Sequence, residues 1–193
     1  MRTIKNKETI MKRFGMSGLI VALLVGAVVL NAQPQFPGPE KEHEWLKQLV
    51  GEWESESEMI MVPGQPPMKT KGKESVRAIG GLWIVSELTC ESPMGPTTAL
   101  MTLGYNPQKK KYIGTWIDSM MNHMWLYEGT MDSTGKILTL ESEGPNMMDP
   151  TKLTKYLDVI EIKSKDHKVL TSSAGGEDGK WITFGTTNFR RKN

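Results

Sequence analysis

The residues with the widest chemical range fall in one short run, Met120-Met121-Asn122-His123-Met124. Thioether and imidazole groups suit Cu(I), so Met120, Met121, His123 and Met124 are the candidate metal ligands. The same thioethers would equally fill an adaptable apolar pocket, and eleven of the 14 methionines lie beyond residue 32. Asp118 and Ser119 stand near His123 and could be read as parts of a nucleophile–base set. An Asp at a strand end followed by Ser is also ordinary turn chemistry. His43-Glu44 begins like a zinc-protease helix, but position 47 is Lys where the second His is required. His167 and the single Cys90 stand at no zinc-ligand spacing from the others. Haem coordination would need His123 or His167 to point inward. Phosphate-loop, dinucleotide and nucleophile-elbow motifs are all missing. No cofactor is expected and no catalytic residue is assigned.

Aromatic residues carry a second signal. Trp116, Trp125 and Tyr127 fall on adjacent predicted strands, and Trp83 and Tyr105 fall on others. Exposing all of them would create an aggregation hazard, so they belong inside, as solid core or as pocket wall. Arg77 and Asp118 could orient the polar end of a bound molecule. The expected lining is Ser55, Ser57, Arg77, Trp83, Trp116, Asp118, Trp125 and Tyr127, an apolar wall with a few convergent polar groups.

The elements that must position these residues follow from periodicity. Over 40–50 (EKEHEWLKQLV) the apolar residues recur at helical spacing, with acidic residues in the first turn, and Gly51 ends the helix. After Gly51 the period drops to two. In WESESEM every glutamate falls on one face and Trp53, Ser55, Ser57 and Met59 on the other. Two serines on an inward face imply a polar or wet interior. Further strands are predicted over 70–79, 82–91, 97–105, 111–118, 123–131, 136–142, 153–163, 167–173 and 180–190, separated by Gly, Pro, Asn and Asp turn residues. With 51–61 this makes ten. Short links imply sequential antiparallel neighbours, and no segment is long enough for a crossover helix. The fold class is therefore all-β: a roughly ten-stranded up-and-down barrel, which hides every edge. A two-sheet sandwich is the alternative.

The N-terminus reads as an export signal. Lys5, Lys7, Lys12 and Arg13 precede 13 uncharged residues, 18–30, and Asn31-Ala32 offers a cleavage point. Thirteen residues fall short of the roughly 20 needed to span a bilayer. Residues 33–39 (QPQFPGP) form a Pro-rich linker, and 40–192 form one domain. Residues 1–32 hold five of the 24 basic and one of the 22 acidic residues, so the remainder carries 19 against 21. A near-neutral domain has no field for nucleic acid, and no membrane partner is expected after cleavage. One cysteine allows no intramolecular disulfide.

Several stretches together resemble a known pattern: Leu49-Val50-Gly51-Glu52-Trp53, Arg77-Ala78-Ile79-Gly80-Gly81-Leu82-Trp83, Gly104-Tyr105-Asn106-Pro107, Trp116-Ile117-Asp118-Ser119 and Phe189-Arg190-Arg191-Lys192. In order and spacing they resemble the bacterial domain of unknown function 1579 family over about residues 40–192. Gly51-x-Trp53 also resembles the Gly-x-Trp signature of lipocalins and other calycin barrels. That resemblance implies a structural closure in which Trp53 seals one barrel end beneath Arg190 or Arg191. The functional expectation is an exported, non-enzymatic binding protein holding a small, largely apolar molecule. Copper handling through 120–124 and a haem-binding barrel are the alternatives.

Overall fold

The computed structural model describes residues 38–62, 64–93, 95–176 and 179–192. The expected export signal and residues 33–37 of the expected linker lie outside them. A short helix α1 (Lys41–Leu46) runs into a 3-10 turn (Lys47–Leu49). Ten strands follow: β1 (Gly51–Met59), β2 (Met68–Ile79), β3 (Trp83–Ser92), β4 (Gly95–Asn106), β5 (Lys111–Asp118), β6 (Met121–Met131), β7 (Ile137–Pro145), β8 (Leu153–Ser164), β9 (His167–Gly175) and β10 (Trp181–Arg191). Each pairs antiparallel with its neighbours in sequence, and β1 pairs with β10, which closes the barrel. The sandwich alternative is thereby excluded.

Alternation in β1 sets the pattern. Trp53, Ser55 and Ser57 are buried, while Glu52, Glu54, Glu56 and Glu58 face outward. Opposite the last three stand Lys73, Lys71 and Lys69 of β2. Lys71 meets Glu56 and Lys69 meets Glu58, both at 2.9 Å. Exposed pairs of this kind add little stability, but a one-residue slip would turn every glutamate inward.

One end is plugged. Trp45, Leu46 and Leu49 of the helical segment are buried against Tyr112, Leu138 and Trp53 in a single apolar cluster. Indole N–H groups anchor the plug: Trp45 donates to the Gly135 carbonyl and Trp53 to the Leu49 carbonyl, each at 2.9 Å. His43 is buried and accepts the Glu40 amide on Nδ1 at 2.9 Å. Its role is therefore a helix cap, in keeping with the broken zinc pattern.

Arg191 locks this end. Its guanidinium lies 4.1 Å from the centre of the Trp53 ring and donates to the carbonyls of Val50 and Gln48 at 2.7 and 3.0 Å. Gly51 has a φ of 132°, and a Cβ there would stand 2.3 Å from an Arg191 nitrogen. The positive φ calls for glycine at this position of Gly-x-Trp, and a side chain there would have to push the Arg191 guanidinium aside. Arg190 is exposed on the outer face, because alternation along β10 buries Phe189 beside it. Of the two arginines, Arg191 makes the contact with Trp53.

Beside Trp53 the interior holds a buried ion pair. Lys168 Nζ lies 2.5 Å from Glu74 Oε2, both side chains almost fully buried. Ser86 donates to the other Glu74 oxygen at 2.7 Å, and Nζ lies 4.7 Å from the ring centres of both Trp53 and Phe189. Removing one partner of such a pair leaves an unpaired buried charge. Lys168→Met should cost roughly 3–5 kcal/mol in urea unfolding, and the double variant Glu74→Gln/Lys168→Met should recover most of that loss. Additive losses would contradict the pairing.

Candidate functional site

Above the plug, towards the opposite end, the barrel is not filled. A cavity of 210 Å³ lies among inward residues of most strands. Its rim includes Met61 and Met147, which lie in connections outside the strands, and Met120 in the β5–β6 turn. Its walls are thioethers and rings: Met59, Met68 and Met121 with Trp116, Trp125, Tyr156 and Phe184. The rings hold one another edge to face, Trp125 on Tyr156 at 4.6 Å and Tyr156 on Phe184 at 6.1 Å between centres. Gly144 of β7 makes room for this stack. A Cβ there would stand 2.2 Å from the Trp125 ring.

Two carboxylates face the cavity. Asp158 of β8 accepts the Tyr127 hydroxyl on Oδ2 and the Ser172 hydroxyl on Oδ1, each at 2.5 Å. Register explains the convergence, because Ser172 of β9 lies directly opposite Asp158. Asp158 is not fully buried, and it lies on the cavity wall. Burial pushes its pKa above the ordinary carboxylate value, although the hydrogen bonds from Ser172 and Tyr127 pull the other way. Burial, then the charge of Asp158, raises the Tyr127 hydroxyl well above 10. Asp118 sits at the end of β5. It accepts the Trp116 indole N–H at 3.0 Å and the amides of Met120 and Met121 at 2.7 and 3.0 Å. Cys90 also lines the cavity, and burial raises its thiol pKa, so the thiolate is disfavoured.

The family model described as "Protein of unknown function (DUF1579)" matches residues 38–191. The chain belongs to this family. No curated protein matches the sequence. Among solved structures, the barrel is similar to the S-type phycobiliprotein lyase CPES from Guillardia theta. Identity is 12%, with 80% of this chain and 99% of that one covered and a TM-score of 0.56. It is also similar to Rv2717c from M. tuberculosis, again at 12% identity with 80% and 99% covered, at a TM-score of 0.57. At such identity the likeness extends to the fold alone.

Within this DUF1579 barrel the expected lining residues divide. Ser57, Trp116, Asp118, Trp125 and Tyr127 are on the cavity wall. Ser55 is inward and buried but does not reach that wall. Arg77 is exposed on the outer face, since Val76 beside it points in. Trp83 is also outside, its ring covering Gly104, because Ile84 takes the inward place. Neither can orient a molecule in the cavity.

The proposed metal run is split by the same alternation. Met121 begins β6 rather than lying in a loop, so Met121 and His123 face inward while Met124 is exposed outside. Met120 is exposed in the turn. The four side chains therefore do not converge as a Cu(I) set. His123 Nε2 lies 3.3 Å from the Glu143 carbonyl oxygen, and His167 pairs with Asn188 at 3.2 Å. Neither imidazole is on the cavity wall, as haem ligation would require. Ser119 accepts the Thr98 amide, and Asp118 is occupied as described, so no Ser–His–Asp relay forms. Among the described residues, no group of three or more His, Cys, Asp or Glu is placed to hold a metal ion.

Asp158, Tyr156 and Ser172 are absent from the expected lining. For Tyr156 and Asp158 the signal was present in 153–164, where both share the inward phase with Ile160. A carboxylate in step with buried positions is the mark of an interior acid. The raised pKa makes a sign-specific prediction. The folded chain holds the Asp158 proton to higher pH than the unfolded chain, whose value is about 3.9. Its contribution to stability is full below that value and is lost as pH rises through the folded value. Urea unfolding of wild type and Asp158→Asn at a series of pH values should therefore give a difference that moves against wild type upward from about pH 4. A pH-independent difference would contradict the assignment.

Proposed function

We propose that this protein is an exported binding protein, not an enzyme, whose barrel holds a small and largely apolar molecule. The cavity carries the reading. A dry, apolar cavity of about 150 Å³ admits benzene, so 210 Å³ suits a substituted single ring or a short branched chain. Methionine and aromatic walls adapt to such shapes without a fixed hydrogen-bond pattern. Asp158, Tyr127 and Ser172 supply the few polar atoms that fix orientation. The same fold occurs in a protein named as a phycobiliprotein lyase.

Propylbenzene is a suitable probe. At saturation it should raise the melting temperature, because a ligand that binds only the folded state stabilises it. It should also slow alkylation of Cys90 by iodoacetamide. Ala99→Phe, which fills the cavity from β4, should abolish both effects while the protein stays folded. A melting temperature unmoved by propylbenzene, with Cys90 unprotected, would count against the pocket.

Export is supported by the basic segment followed by 13 uncharged residues. Fractionation of the native host followed by N-terminal sequencing should recover the protein outside the cytoplasm, beginning just after Ala32. A cytoplasmic protein with an intact N-terminus would remove this part of the proposal.

A further inference from the structure

We propose that the cavity selects an organic cation, a protonated amine carried on an apolar body, with Asp158 as its counter-charge. This rests on the binding-protein reading above and names the class of ligand within it.

The argument begins with how each inward carboxylate is compensated. Glu74 has its own cation, Lys168, at 2.5 Å. Asp118 has an indole N–H and two backbone amides. Among the described residues, Asp158 has only two neutral hydroxyls, those of Tyr127 and Ser172. An ionised carboxylate offers about four lone-pair sites, so two of them are left for a further donor. Asp158 is on the cavity wall, so a donor held in the cavity can reach it.

The cavity supplies no such donor with a positive charge. Among the described residues, its lining includes Asp118 and Asp158 but no lysine, arginine or histidine. A buried charge without a partner is unfavourable, and the cost grows as the surroundings become less polar. A proton is one remedy, which the upward shift of the Asp158 pKa reflects. A ligand ammonium is the other. It donates charge-assisted hydrogen bonds, which are stronger than neutral ones.

The walls fit the same ligand. Trp116, Trp125, Tyr156 and Phe184 line the same cavity as the carboxylate. Aromatic faces attract a cation electrostatically, and more strongly where water is excluded. A neutral molecule of equal shape would gain the apolar contacts but leave Asp158 uncompensated. An anion would meet two carboxylates. The two carboxylates, the rings and the cavity they line therefore point to one class of occupant.

The test compares three molecules of nearly one shape on the purified protein by calorimetric titration: phenethylamine, propylbenzene and hydrocinnamate. Phenethylamine should bind at least about tenfold more tightly than propylbenzene, and hydrocinnamate most weakly. Asp158→Asn should erase the preference for the amine, so that the variant binds amine and hydrocarbon within about twofold of each other. Equal binding of amine and hydrocarbon by wild type would overturn the cation assignment and leave the apolar pocket standing. Failure of both to bind would overturn the two together. A preference that survives in Asp158→Asn would remove Asp158 as the counter-charge. The wild-type comparison stands by itself should the variant fail to fold.

Discussion

The structure depends on one contact between its first and last strands, the guanidinium of Arg191 on the indole of Trp53. A ten-stranded sheet has two open edges until β1 meets β10, and these two residues are partners in that ladder. The same guanidinium takes the carbonyls of Val50 and Gln48, which end the helical segment. One side chain thus joins seam, plug and floor. The stacking itself is worth about 0.5–2 kcal/mol. Its larger consequence is positional, because it fixes where the plug sits and leaves the opposite end of the barrel to remain hollow.

Polarity inside the barrel is graded from that floor upward. Near Trp53 the charges are self-contained, with Glu74 and Lys168 neutralising each other and Ser86 satisfying a carboxylate oxygen. Around the cavity the carboxylates have no cation of their own among the described residues, and their partners are hydroxyls, an indole and backbone amides. The lower arrangement is closed to any newcomer. The upper one is unfinished in charge and is surrounded by rings and thioethers, which gives the cavity its chemical character.

Much of this was legible in the sequence. The alternation of WESESEM sets the faces of β1, and recurring turn residues give ten strands whose bounds move by only a few residues. The pocket wall was legible where aromatic residues dominate, at Trp116, Trp125 and Tyr127. It failed at Arg77 and Trp83, where residue type suggested a pocket but phase put the side chain outside. The run 120–124 failed for the same reason, since four residues close in sequence are divided between two faces once they lie on a strand.

The sequence by itself determined the period, the strand number and the closing Gly-x-Trp, because each is a local pattern that a strand or a turn enforces on its own residues. Which end closes, how far the plug reaches, and which carboxylates acquire a cation were decided by tertiary structure. Those outcomes turn on register between strands distant in the chain. Lys168 lies 94 positions from Glu74, and Asp158 stands 31 from Tyr127. Only the closed ring brings them to hydrogen-bonding distance, and only there does a missing counter-charge become a property of the site.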